Sequence, residues 1–142
     1  MKAEQVLSTE LRRLVEAKLE QTLKGIEETL NQIIIDQEIT PKELTDDLES
    51  LESSFNILFQ KWSLEILYTL FLKKGTGFAE LKKVLGVNSR TLSDKLKILR
   101  QHGYLERSVS AEPPLRVDYS LTSKGKNIVL LALPLLYYSS SA

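Results

Sequence analysis

Two short helical patterns joined by a tight turn constrain the fold of this chain more than any other feature. The stretch "FAELKKVLG" has apolar residues at helical spacing and ends at Gly86, and "SRTLSDKLKILRQHG" has the same spacing and ends at Gly103. Only the turn around "LGVNS" joins them, and Ser89 is suited to cap the second helix. Two helices joined in this way form a helix-turn-helix.

A central core helix is predicted before this pair, in "FQKWSLEILYTLFLKKG", with Trp62 among its apolar residues and Gly75 at its end. In the first helix of the pair, Phe78, Leu81, Val84 and Leu85 are predicted to face the core.

A β-hairpin is predicted directly after this helix pair. The segments "YLERSVS" and "LRVDYSL" each alternate between apolar and polar residues, as strands with two different faces do. Between them, "AEPPL" contains two prolines, which suit a loop and prevent strand pairing from continuing. A hairpin in this place is the wing of a winged helix-turn-helix, with a recognition helix over 89–102 and a wing over 104–121.

The N-terminal third predicts a long helical arm. No proline occurs between Ala3 and Gln37, and apolar residues recur there every three or four positions. A small domain cannot cover so long a stripe, which favours pairing of two copies; packing back on its own domain is the alternative. Thr40, Pro41 and Glu43 then predict a capping box and the start of a second helix.

A C-terminal helix that begins after Thr122 is predicted to join the dimer interface. The stretch "LTSKGKNIVLLALPLLYY" is too continuously apolar for a lone surface helix, and Pro134 is expected to kink it or to begin a new turn. The fold class is therefore mainly α with a small β-hairpin wing, a winged helix-turn-helix with a long N-terminal helical arm and a C-terminal dimerisation helix. The residues predicted to form the dimer interface are Leu11, Leu19, Leu23, Ile26, Leu30, Ile33, Leu131 and Leu135.

Charge divides the chain into two predicted domains, although its formal net charge is zero. Residues 1–54, the arm and connector, contain 6 Lys and Arg against 13 Asp and Glu, a charge of −7. Residues 55–142, the winged domain with the C-terminal helix, contain 13 against 6, a charge of +7. A basic domain favours a polyanion as partner, whereas the alternative is two solvated surfaces that differ in sign.

The second helix of the pair offers a polar face to a partner. Leu92, Leu96 and Leu99 share the side predicted to face the core. A major groove about 12 Å wide admits one helix, whose first turns reach the base edges. Arg90 is placed to pair with guanine and Thr91 to reach a base, although an ordinary charged solvent face is the alternative. The residues predicted to contact DNA are Ser89, Arg90, Thr91, Ser93, Asp94, Lys95, Lys97, Arg107, Arg116, Lys61, Lys82 and Lys83.

The stretches "KWSLEILYTL", "GFAELKKVLG", "SRTLSDKLKILRQHGYLERS" and "PPLRVDYSLTSKGK" resemble, in order and spacing, the HxlR family of winged-helix transcriptional regulators, relatives of the MarR type. The resemblance covers residues 56–136 and implies a homodimer that binds operator DNA through the third helix of the winged domain and the wing. Matching positions of the recognition helix are Ser89, Arg90, Thr91, Ser93 and Lys95, Arg116 matches the wing, and Trp62, Leu105, Tyr119, Leu121 and Gly125 match structural positions.

The chain also departs from the family pattern. Members often have a cysteine ahead of the tryptophan that senses oxidants or electrophiles, but "FNILFQKW" has none. Gly77 stands where an arginine is common, which removes one expected backbone contact. The arm over 1–54 is longer than the usual lead-in, and the resemblance gives it no role.

Composition excludes several other functions. The chain has no cysteine and one histidine, His102, so we expect no disulfide, no metal site and no cofactor. No nucleophile and base pair or phosphate-binding glycine loop is visible, so we expect no enzymatic activity. No apolar run reaches the roughly 18–20 residues that span a bilayer, and we expect a soluble, cytoplasmic protein without a membrane partner.

The expected partners are double-stranded DNA and a second copy of the chain. Any small-molecule effector is expected between the winged domain and the dimer helices, and its identity stays open. Two other functions remain as alternatives: a winged-helix adaptor that binds proteins, and a non-specific architectural DNA-binding protein.

Overall fold

The computed structural model describes residues 3–140, and the side chains of residues 9–140. The described residues form six helices and a three-stranded sheet. The helices and strands are α1 (Ala3–Gln37), α2 (Pro41–Leu58), α3 (Ser63–Leu72), β1 (Thr76–Gly77), α4 (Phe78–Leu85), α5 (Ser89–Gln101), β2 (Leu105–Val109), β3 (Val117–Leu121) and α6 (Ser123–Ser139). The mainly helical fold class with a small wing is confirmed.

The chain divides into two compact units. The first, here called the arm unit, contains the described residues up to Ser50 and those from Leu131 onward, and the second, the winged unit, is Leu51–Leu130. Among the described residues, none of the helices is both long and apolar enough to cross a membrane.

The arm unit has no buried side chain among those described. The helix predicted from the proline-free stretch is confirmed with its bounds, but its apolar stripe remains in contact with solvent; Leu30, for example, is 52% exposed. The predicted capping box is also confirmed, since the Thr40 hydroxyl accepts from the Glu43 N–H and the Glu43 carboxylate accepts from the Thr40 N–H, each at 3.2 Å. Within this unit the Arg12 guanidinium donates to the Ser140 hydroxyl at 3.0 Å.

The winged unit has a closed apolar core. The predicted inner stripe of α5 is confirmed, because Leu92 and Leu99 are fully buried and Leu96 nearly so. Further apolar side chains with almost no solvent contact come from four other elements of the unit: Ile66, Leu67 and Leu70 of α3, Leu81 of α4, Leu105 of β2 and Val129 of α6. Because all these elements contribute, the position of α5 is fixed by the core.

The sheet is antiparallel with strand order β1-β3-β2. The predicted hairpin is confirmed, with Leu105 opposite Leu121 and Arg107 opposite Tyr119. The two-residue strand β1 was not predicted, and its Thr76 also lies opposite Tyr119, on the other side of β3. The wing is therefore attached to the body along β3 as well as through the end of α5.

The end of α5 and the start of α6 meet closely. The Thr122 hydroxyl donates to the Gly103 carbonyl at 2.5 Å and accepts from the Gly125 N–H at 3.0 Å, which confirms Thr122 as the cap of the last helix. A Cβ atom on Gly125 would lie 1.9 Å from the Tyr104 carbonyl oxygen, so no side chain fits there. Gly103 has a φ of 78°, the left-handed conformation predicted at the end of α5.

Several local expectations were wrong. Asn88, and not Ser89, caps α5: the Asn88 side chain accepts from the Thr91 N–H at 2.8 Å, and Ser89 is already the first helical residue. Val84, expected in the core with its neighbours in α4, is 56% exposed, because the inner stripe of that helix runs through Phe78, Leu81 and Leu85.

Two expectations about helix ends also need correction. Trp62, expected within the core helix, is half-buried in the turn before α3 with a left-handed φ of 79°, because the helix begins only at Ser63. That helix ends at Leu72, before the predicted Gly75, which instead takes its left-handed φ of 66° in the turn to β1. Pro134 lies inside α6, which continues to Ser139.

Candidate nucleic-acid interface

The turn between α4 and α5 fixes the direction in which α5 begins. Gly86 has a left-handed φ of 65°, and its N–H donates to the Lys82 carbonyl at 2.9 Å, so α4 ends there. Asn88 is extended and its side chain caps the first turn of the next helix. With both ends of the turn satisfied, the first residues of α5 are held in one orientation.

The outer face of α5 is free to meet a partner. Ser89, Arg90, Ser93, Asp94 and Lys97 are exposed. The described residues include no ion-pair partner for any charged member of this set, so neither Arg90 nor Lys97 neutralises Asp94. The outer face therefore has both donors and an acceptor available at its first turns.

Two further residues of the predicted set are partly engaged. Thr91 and Lys95 are half-buried. The Thr91 N–H is used by the Asn88 cap, and the Lys95 ammonium donates to the Gln60 side chain at 2.7 Å. Thr91 keeps its hydroxyl for a partner, whereas Lys95 would have to leave Gln60 to reach one.

The tip of the wing is closed by Ser110. The Ser110 hydroxyl accepts from the Arg116 N–H at 2.8 Å, and the Ser110 N–H donates to the Arg116 carbonyl at the same distance. The hydroxyl also donates to the Pro114 carbonyl at 3.2 Å. Hydrogen bonds to both the N–H and the carbonyl of Arg116 therefore fix the backbone from which its exposed side chain extends.

A pocket of about 240 Å³ lies between α5 and the wing. It brings together the predicted residues Ser93, Lys97 and Arg107. It also contains Arg100, which sequence reasoning missed as a site residue, and Tyr119, which had only a structural role. The available signal was the spacing of Ser93, Lys97 and Arg100 over two turns of one helix. The residues that line the pocket are Ser93, Leu96, Lys97, Arg100, Arg107 and Tyr119.

The remaining predicted lysines lie elsewhere on the surface. Lys82 and Lys83 are exposed in the last turn of α4. The Lys61 ammonium lies 5.3 Å from the centre of the Trp62 ring, a cation–π contact that holds it against its neighbour. Among the described residues, no group of three or more His, Cys, Asp and Glu side chains is placed to hold a metal ion.

Comparison with known proteins places this geometry in a family. The family model described as HxlR-like helix-turn-helix matches residues 57–139, which include the helix pair, the wing and α6. The chain belongs to this family. The matched range includes all of the residues that position the outer face of α5.

Related proteins agree with the family match. The chain is 38% identical over 76 residues to the uncharacterised HTH-type transcriptional regulator YvaP of Bacillus subtilis, covering 53% of this chain and 69% of YvaP. It is 33% identical over 76 residues to the HTH-type transcriptional regulator YodB of the same organism, covering 53% of this chain and 67% of YodB. This HxlR-like chain is therefore a helix-turn-helix transcriptional regulator that binds DNA.

Solved structures give the same fold. The reduced form of YodB from B. subtilis matches with a TM-score of 0.58 and 26% identity, covering 71% of this chain and 91% of YodB. A MarR-family protein from Enterococcus faecalis matches with a TM-score of 0.59 and 27% identity, covering 64% of this chain and 83% of that one. YodB has also been solved after diamide treatment. This HxlR-like chain has no cysteine, so a thiol of its own cannot respond to such a reagent.

Proposed function

We propose that the protein is a dimeric, sequence-specific regulator that binds double-stranded DNA. In this proposal the recognition helix, residues 89–102, enters the major groove, and the wing, residues 104–121, lies on the adjacent groove or on the backbone. The observation that carries the proposal is the outer face of α5: its first turns are exposed and without ion-pair partners among the described residues, while the leucines behind them are buried. A helix presented in this way matches the docking geometry of helix-turn-helix proteins.

Sequence reading is assigned to the first turn of α5. The Arg90 guanidinium has two parallel donors that match O6 and N7 of guanine, and a good pair of this kind contributes about 1–3 kcal/mol of discrimination. Thr91 offers a hydroxyl and a methyl group to the next base. Asp94 can accept from N4 of cytosine. The residues assigned to the phosphate backbone, which position without specifying, are Ser89, Ser93, Lys95, Lys97, Arg107, Arg116, Lys61, Lys82 and Lys83.

Dimerisation is assigned to the apolar stripe of the arm. Leu23, Ile26, Leu30 and Ile33 are all substantially exposed in the single chain although they recur at helical spacing. Water contact with such a stripe is unfavourable by roughly 25 cal/mol for each Å² of apolar surface, and a second copy would remove it. In this assignment residues 1–54 pair the two copies, together with Leu131 and Leu135, which are also exposed.

A symmetric dimer would present two recognition helices to one face of the duplex. Half-sites separated by one helical turn, about 34–36 Å, would then form a pseudo-palindrome.

The named relatives are regulators, which supports a function without catalysis. The division of the chain into residues 1–54 and 55–142 remains a prediction of the same proposal.

Fluorescence anisotropy of labelled duplexes tests this function. One duplex comes from the DNA upstream of the protein's own gene, and the other has the same composition in scrambled order. We expect tighter binding to the upstream duplex, and a steep loss of affinity with salt, with a slope of about −0.9 per phosphate neutralised. Arg90→Ala should remove the preference between the duplexes, whereas Lys24→Ala, an exposed lysine of the arm, should preserve it.

The other outcomes separate the alternatives. Equal, salt-dependent binding of both duplexes would indicate an architectural DNA-binding protein and would contradict sequence specificity. Absence of binding to either duplex at low salt would contradict the DNA function and leave the adaptor as the function to test. A bound fraction of duplex that rises with the square of the protein concentration would support binding by two copies of the chain.

A further inference from the structure

The pocket between α5 and the wing is strongly basic. Lys97, Arg100 and Arg107 line it, and none of the three forms an ion pair with any residue that the structure describes. Among the residues that the structure describes, no carboxylate lines the pocket. Three like charges that share one small pocket repel each other, and a bound anion would relieve that repulsion.

Residues of α5 and of both strands of the wing line this pocket. Ser93, Lys97 and Arg100 are spaced four and three residues apart and therefore share one stripe of α5. Arg107 and Tyr119 are directly opposite each other in the pairing of β2 with β3 and therefore share one face of the wing. The nearly buried Leu96 also lines the pocket.

The nearest carboxylates of the wing belong to its other face. Glu106 and Asp118 each stand next in sequence to a pocket residue, and successive side chains of a strand point to opposite faces. Their cross-strand neighbours are Ser120 and Ser108, neither of which lines the pocket. Strand alternation thus keeps the cationic face of the wing separate from its acidic face.

We propose that this pocket binds an oxyanion of the phosphate class. Arginine guanidinium groups offer paired N–H donors that match phosphate oxygens, and such charge-assisted hydrogen bonds are about twice as strong as neutral ones. Lys97 adds a point charge, and Ser93 and Tyr119 add hydroxyl donors. The volume of about 240 Å³ lies below the roughly 300–1,000 Å³ of pockets for drug-sized ligands, so it suits a single phosphate group.

The same chemistry has two sources. One is a backbone phosphate of bound DNA, and this source rests on the proposed function. The other is a phosphorylated small molecule, whose binding does not depend on that function. If both use the pocket, a free phosphate compound would compete with DNA for it and would act as an effector.

Binding of inorganic phosphate to the full chain tests the site directly. Amide and arginine side-chain NMR signals are followed during a phosphate titration in which chloride keeps ionic strength constant. We expect saturable shifts at the pocket residues. Arg100→Gln and Arg107→Gln should each lower the affinity for phosphate at least about tenfold. A hydrogen bond to a charged group contributes about 1.5–3 kcal/mol, and 1.4 kcal/mol corresponds to a tenfold change in affinity.

A matched control separates the pocket from general charge. Lys74→Gln removes one exposed positive charge from the winged unit at a position outside the pocket, and it should leave phosphate affinity within about twofold, as expected for a screened charge. Arg100 and Arg107 are themselves exposed, so their substitution should leave the circular dichroism spectrum unchanged. Absence of saturable shifts in the unsubstituted protein, or equal weakening by all three substitutions, would overturn the inference.

Competition between phosphate and duplex DNA identifies whether the pocket holds a DNA backbone phosphate or a free phosphorylated molecule. If phosphate displaces the duplex at constant ionic strength and Arg100→Gln weakens the duplex and abolishes this displacement, the pocket holds a backbone phosphate. If phosphate fills the pocket and the duplex is affected neither by it nor by Arg100→Gln, the source is a free phosphorylated molecule. Duplex binding without any phosphate binding would overturn the phosphate site but not the proposed DNA-binding function. Phosphate binding without duplex binding would support the phosphate site and contradict the DNA-binding function.

Discussion

The arm unit and the winged unit use the same residue types in opposite ways. Leu92, Leu96 and Leu99 of α5 in the winged unit are almost completely buried. By contrast Leu14, Leu23 and Leu30, which recur at helical spacing in α1, remain about half exposed. Helical periodicity therefore shows which residues share a face, but it does not show whether the same chain covers that face. The winged unit closes its own core, whereas the apolar stripe of the arm unit stays exposed within the single chain.

The largest expected difference in the free energy of unfolding is between substitution of a buried leucine and substitution of an exposed one. Leu92→Ala removes a fully buried side chain from α5 and leaves a cavity, which costs about 2–5 kcal/mol. Leu72→Ala, at a leucine of the same unit that is 81% exposed, should change the free energy of unfolding by less than about 0.5 kcal/mol. Urea unfolding followed by the fluorescence of Trp62, the single tryptophan, measures both. Similar losses would show that Leu72 is covered in solution.

A charge on the arm stripe tests whether a second copy covers it. Leu30→Asp should weaken the proposed dimer by about 2–3 kcal/mol, or roughly 30- to 150-fold in dissociation constant, because a symmetric dimer contains the change twice. Gln21→Asp adds the same charge on the opposite side of α1 and should leave the dimer intact. Sedimentation equilibrium measures the dissociation constants. A monomer in the unsubstituted protein would contradict the dimer itself.

The same glycine substitution should have opposite effects in the two units. Gly125→Ala places a Cβ against the Tyr104 carbonyl and should destabilise the winged unit by about 1–3 kcal/mol. At Gly25, inside α1, an added Cβ meets nothing within 4 Å, so Gly25→Ala should stabilise the helix by about 0.5–1 kcal/mol. Thermal unfolding by circular dichroism gives both signs, and destabilisation at Gly25 would indicate a close neighbour in the dimer.

The smallest expected effect separates two adjacent cap candidates in the winged unit. Asn88→Ala removes the side chain that accepts from the Thr91 N–H and should cost about 1 kcal/mol. Ser89→Ala leaves that hydrogen bond in place and should cost less than about 0.5 kcal/mol. Urea unfolding of the two variants ranks them, and the reverse order would mean that Ser89 caps α5 in solution.

Much of the fold could be predicted because local chemistry determines it. The bounds of α1 follow from a proline-free amphipathic stretch, the start of α2 from its capping box, and the helix pair and wing from glycine ends and alternation. The buried leucines of α5 follow from spacing alone. In each case the signal lies within a few residues of the feature.

Two features that were not predicted depend on residues far apart in sequence, and one expectation failed for a local reason. The strand β1 has two residues, too few to show alternation, and it exists only because β3 pairs with it. Arg100 became a pocket residue because the hairpin folds back beside α5, which brings Arg107 to it. Asn88 and Ser89 are equally good caps by residue type, and the backbone of the turn decides between them.

The two sides of α5 also determine how the protein can diverge. Its buried leucines belong to the core of the winged unit, whereas Arg90 and Asp94 are exposed and contribute little to that core. Exchange of exposed residues usually changes stability by less than about 0.5 kcal/mol. If α5 reads DNA as proposed, new DNA preferences can therefore be selected or engineered at these positions on an unchanged scaffold, without the compensating substitutions that a change among the leucines would require.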